Sequence, residues 1–118
     1  MRRLLAVLTV VGALSLLAAC GSDEPETDTS QPVTVEIEFS GDTVTPAGDR
    51  IRVAKGQEVE FEVKADAPGE IHVHTTPDKT LPYDAGTTLI EVGTFDRPGV
   101  YSVESHALGK TIVQLEVS

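Results

Sequence analysis

The chain has a single cysteine, no tryptophan, and one methionine that is its first residue. It therefore forms no internal disulfide, and its fold needs a hydrophobic core alone. With only three Phe and two Tyr, aliphatic side chains must supply most of the buried area. At ~25 cal/mol per Å² that holds a small domain without staples, with little to spare. Positive charge is equally scarce. Beyond residue 19, seven Lys plus Arg face nineteen Asp plus Glu, leaving a net charge of −12. Such a field repels phosphates, which excludes nucleic acid as a partner, and it attracts cations.

The one long apolar run, Leu4 to Leu17 behind Arg2 and Arg3, is short of the ~20 residues that cross a bilayer and has the length of an export signal. It closes on "LAAC", Leu17 to Cys20, which resembles the lipobox of bacterial lipoproteins. The resemblance implies removal of residues 1–19, a diacylglycerol thioether on Cys20, and a further acyl chain such as palmitate on the new amino terminus. Several acyl chains anchor stably where one is marginal. The protein is then expected at the cell membrane, facing the extracytoplasmic side. A lipidated Cys20 also leaves no thiol for a metal or a nucleophile. After Cys20, "GSDEPETDTSQP" (21–32) has no apolar residue except proline and carries four carboxylates. It reads as an extended, self-repelling tether of at most ~40 Å.

From Val33 the pattern changes to alternation with period two. Val33, Val35, Ile37 and Phe39 share one face, and Val59, Phe61 and Val63 share another, as in half-buried strands. Further runs place Ile51 and Val53, Ile71 and Val73, Ile90 and Val92, Tyr101 and Val103, and Val113, Leu115 and Val117 inward. Turn chemistry separates them at "SGD", "PAGD", "KGQ", "APG", "RPG" and "LGK". No helical period is sustained. About seven short strands at regular spacing predict one all-β domain over 33–118, a small antiparallel Greek-key β-sandwich. The segment "TTPDKTLPYDAG" (75–86), with Asp78 and Asp84, reads as a loop between strands.

The order of the runs, the segment "EIHVHTTPD" and the ending "RPGVYSVESHALGKTIVQLEVS" resemble the cupredoxin-like family, in particular EfeO-type domains of exported bacterial proteins. The resemblance covers residues 33–118. It implies that the "HVH" segment and the loop after Tyr101 meet at one end of the sandwich. Counting from Tyr101, the family's cysteine slot holds Ser105 and its histidine slot holds Leu108. A blue-copper centre needs a thiolate, and a serine hydroxyl does not ionise near neutral pH. No blue-copper centre and no electron transfer through one are expected.

Three histidines remain. On a strand, His72 and His74 share a face opposite Ile71 and Val73, rooted ~7 Å apart, and His106 lies beside the vacated cysteine slot. Together, His72, His74 and His106 are a candidate site for copper or zinc. The alternative is an ordinary outward face that carries imidazoles, on a structural or protein-interaction lipoprotein whose partner is an envelope protein. "HVH" also occurs in the copper-zinc superoxide dismutases, but those hold two metals with about twice as many histidines. No hydrolase elbow accompanies Ser102, Ser105 and His106, and the ladder Glu58, Glu60, Glu62 is a solvated strand face with no cleft for paired acids. The chain reads as a binding module and not an enzyme.

Overall fold

The computed structural model describes residues 28–118, so the export signal and Cys20 lie outside the described residues. Nine strands form, with no helix among the described residues: β1 (Val33–Ser40), β2 (Thr43–Thr45), β3 (Asp49–Val53), β4 (Glu58–Ala65), β5 (Gly69–Val73), β6 (Lys79–Tyr83), β7 (Gly86–Thr94), β8 (Gly99–Ser105) and β9 (Lys110–Val117). They make two sheets, of order β2-β1-β4-β7 and β3-β9-β8-β5-β6. The domain is thus the all-β sandwich that the alternation predicts.

The sheets are mixed, which corrects the expectation of wholly antiparallel pairing. β1 runs parallel to β4, and β3 runs parallel to β9. After the β1–β2 hairpin the chain crosses to the second sheet as β3 and then returns beside β1. This return leaves β4 pointing the same way as its neighbour. Two short strands also go beyond the sequence expectation. β2 is three residues long, and β6 occupies the middle of the segment expected to be a loop. β6 is an edge strand in which Pro82 faces Glu70, a position where a missing N–H costs no ladder bond.

The core follows the alternating positions. Val35, Ile37, Phe39, Val59, Phe61, Val63, Ile71, Val73, Val103, Val113, Leu115 and Val117 are all buried. Ile51, Ile90 and Tyr101, expected inward, are only partly buried and pack against this cluster. One departure from alternation has a clear cause. β8 and β9 shift register after the Val103–Val113 pair, so Ile112 is an extra residue between Thr111 and Val113. The bulge turns both Ile112 and Val113 into the core.

Gly69 opens β5 directly opposite Tyr83. A β-carbon there would lie 2.7 Å from the Tyr83 Cζ atom, so only glycine lets the strand that bears His72 pack on that ring, which itself stacks on Phe39 with centroids 4.7 Å apart. At the opposite end of the sandwich, the buried Gln57 fixes the chain just ahead of β1. Its Oε1 accepts from the Ala54 N–H at 3.0 Å, and its Nε2 donates to the Gln31 carbonyl at 2.9 Å.

Candidate metal centre

The three histidines gather on the outer face of the five-stranded sheet, over β5 and β8. β5 places Ile71 and Val73 in the core and turns His72 outward. His74 follows the last residue of β5, and its N–H donates to the Ser102 carbonyl at 2.9 Å, extending the antiparallel pairing with β8. The chain then turns sharply, with Thr75 N–H donating to the Val73 carbonyl at 2.9 Å. This turn brings Asp78 back to 3.8 Å from His74 Nδ1.

On β8, Glu104 stands directly opposite His72 and shares its face. Beyond β8, His106 begins a tight turn whose Gly109 N–H donates to the His106 carbonyl at 3.2 Å. Gly109 has a φ of 62°, the left-handed conformation that glycine adopts without a steric penalty.

Ser105 does not face this cluster. It is buried among core residues, and its hydroxyl accepts from the Leu108 N–H at 3.3 Å. The side chain in the family's cysteine slot thus closes the β8–β9 turn from inside. The "HVH" segment and the segment after Tyr101 do meet, as the resemblance implies, and their cluster lies on the outer sheet face where β8 ends. The physical reason is the strand alternation: once Ser105 points inward, Glu104 and the ring of His106 lie on the other side.

Glu104 is the centre of the arrangement. One carboxylate oxygen, Oε2, is 2.8 Å from His74 Nε2 and 3.6 Å from His106 Nε2. The other, Oε1, accepts from the Ser102 hydroxyl at 3.0 Å. His74, Glu104 and His106 each offer a donor atom, and these atoms lie within 4.8 Å of one another. Three ligands on one tetrahedral ion stand ~3.3 Å apart when each bond is ~2.0 Å. The two Glu104 contacts, at 2.8 and 3.6 Å, bracket that spacing, and no two of the three donors are more than 4.8 Å apart.

His72 is arranged differently. Its ring stacks on that of His106 with centroids 3.8 Å apart and planes 11° from parallel. By contrast, the rings of His74 and His106 are 5.8 Å apart and tilted by 39°. His72 Nε2 is 3.7 Å from Glu70, and Nδ1 is 3.5 Å from the Thr80 hydroxyl.

Sequence reasoning selected the imidazoles and missed Glu104. A signal was present: Glu104 and His106 repeat the i, i+2 spacing of His72 and His74, which marks a second pair of polar side chains around a strand end. Only the β5–β8 pairing, between residues 30 apart in the chain, brings the two pairs together.

The hydrogen bond that the His74 imidazole donates to Glu104 holds it above its ordinary pKa, and the negative charges of Glu104 and Asp78 act in the same direction. The bonds from His74 and Ser102 hold Glu104 below the ordinary carboxylate value. The stabilisation from a raised His74 is complete below ~6.5 and fades as pH rises through its folded value. That from a lowered Glu104 is complete above its unfolded value and fades as pH falls through the folded one. The ion pair is therefore strongest in mildly acidic solution. A metal must displace the proton of each imidazole that ligates it, so affinity at this site should fall by at least about tenfold per pH unit below the folded His74 pKa and level off above it. Zinc titrations between pH 5 and 8 check this, with the plateau expected to begin above ~6.5; a flat profile would show that His74 is not a ligand.

No protein-family model matches the chain, and no curated protein does. Solved structures similar to it include a purple cupredoxin from Nitrosopumilus maritimus, 19% identical over 73% of this chain and 99% of that one, with a TM-score of 0.49. A multi-copper oxidase from Pseudomonas thermotolerans is 21% identical over 79% of this chain and 31% of its own, with a TM-score of 0.45. A blue copper oxidase from Nitrosomonas europaea is 19% identical over 64% and 34%, with a TM-score of 0.40.

Proposed function

We propose that this protein is an extracytoplasmic transition-metal-binding module of cupredoxin-like architecture, held at the membrane by a lipid on Cys20. It takes Cu(II) or Zn(II) through His74, Glu104 and His106. The observation that carries the reading is the convergence of these three donors within 4.8 Å on the outer sheet face. Two imidazoles and a carboxylate suit either ion, and the Ser102 hydroxyl on the second Glu104 oxygen supplies the outer-shell support that orients a ligating carboxylate.

Three protein ligands leave a fourth position facing water. The His74 and His106 side chains are 41% and 54% exposed, so the ion exchanges with solvent or a partner, as in a carrier or sensor. The donors lie on an open sheet face, an arrangement that suits binding and exchange of an ion. Ser105, turned into the core, gives copper no sulfur. Electron transfer of the blue-copper kind is no part of this function.

Titration of the full chain with Cys20→Ser, which removes its one thiol, tests the metal reading. One-to-one binding of Cu(II) or Zn(II) is expected. Absence of binding would leave a structural lipoprotein that engages an envelope protein. The anchor is tested by fractionating expressing cells. The unaltered chain should sediment with membranes, and Cys20→Ser should release it.

A further inference from the structure

Resting on the reading of His74, Glu104 and His106 as the ligand set, we infer that His72 is a positioning residue. It fixes the ring of His106 by stacking and does not itself bind the ion. A metal sits in the plane of the imidazole that holds it, along the nitrogen lone pair. With the His72 and His106 rings 3.8 Å apart and only 11° from parallel, an ion in the plane of one ring lies well out of the plane of the other. The pair cannot share an ion in this arrangement. The tilted rings of His74 and His106 have planes that intersect, and both Nε2 atoms face the same Glu104 oxygen.

His72 is also the better-held ring of the stacked pair. It belongs to a strand held on both sides, paired with Thr80 of β6 and Glu104 of β8, and its side chain is only 22% exposed. Thr80 and Glu70 each stand beside one of its nitrogens. His106 belongs to a turn, is 54% exposed, and makes its one ion contact among the described residues to Glu104. Left alone, such a side chain spends its time among several rotamers, and ordering it on binding costs affinity. Metal-ligating imidazoles are usually oriented by a hydrogen bond to the second ring nitrogen. Here a flat neighbour performs the same task.

The test separates stacking from ligation. In the full chain with Cys20→Ser, His72→Phe keeps a flat ring and removes both nitrogens, while His72→Ala removes the ring. Expected results are Cu(II) affinity within about threefold of the parent for His72→Phe and a loss of roughly tenfold for His72→Ala, the lower range for outer-shell changes. Pulsed EPR of the Cu(II) form should count two imidazole nitrogens in the parent and in both variants, a readout that a general loosening of the fold would not reproduce. Three imidazoles in the parent, an unchanged His72→Ala, or a His72→Phe as weak as His72→Ala would each overturn the inference while leaving the site itself standing. A parent that binds neither Cu(II) nor Zn(II) overturns the site and this inference together.

Discussion

Replacing Glu104 with alanine is expected to lower the affinity for Cu(II) or Zn(II) by at least about 100-fold, since even outer-shell partners of a metal cost 10–100-fold when removed. The residue has three tasks at once. It would give the ion its only negatively charged ligand, it faces the imidazoles of both His74 and His106, and it holds the Ser102 hydroxyl on its far side. Its removal leaves two imidazoles whose orientation nothing at the centre correlates. Glutamine should give an intermediate loss, because its amide oxygen still faces His74 but carries no charge. Stability should hardly change, because solvent screens ion pairs as exposed as these. Calorimetric titration checks the binding, and proton NMR of His74 supplies a second readout: its pKa should fall towards the ordinary imidazole value once the carboxylate that raises it is gone. Parent-like binding by Glu104→Ala would place any metal elsewhere on the chain.

Phe61→Ala should have the largest effect on folding. Phe61 has no exposed surface, lies in β4 at the centre of the four-stranded sheet, and pairs with Val35 on one side and Ile90 on the other. Truncating a fully buried phenylalanine costs about 3–5 kcal/mol in lost transfer energy and cavity. A domain of this length has roughly 4–13 kcal/mol in total, and a single cysteine means that no internal disulfide offsets the loss. The urea midpoint should therefore drop steeply with an unchanged slope. At the lower end of that range the variant would be largely unfolded at room temperature. Leu89→Ala is the control. That side chain is 63% exposed on β7, and its loss should change the unfolding free energy by no more than about 0.5 kcal/mol. A Phe61→Ala domain as stable as the control would show that the two sheets do not close over this ring.

Long alternating runs made most of the sandwich readable. β1, β4 and the inward residues of β9 follow directly from a period of two, because the solvent side of each strand is polar. β2 and β6 were not readable for opposite reasons. β2 is too short to establish a period, and β6 combines a proline with exposed polar residues that also describe a loop. Strand direction leaves no local trace, since a parallel and an antiparallel neighbour bury the same alternating face. The Ile112 bulge is likewise invisible in sequence, because it depends on where β9 meets β8. At the site, residue type revealed the imidazoles, while the partner that unites them came from a pairing between distant segments. Alternation then turned Ser105 to the opposite side and left the whole cluster on the sheet surface.

The parallel arrangement of β1 and β4 has a mechanical consequence. A tensile load on the chain ahead of Val33 acts first on the Gln31–Gln57 latch and then along the axis of β1. Because β4 lies alongside β1 from Val33 to Phe39, the ladder is loaded in shear. Its rungs must give way together and cannot be peeled one after another. Such a joint resists tugging from its amino-terminal side far better than its modest thermodynamic stability would suggest.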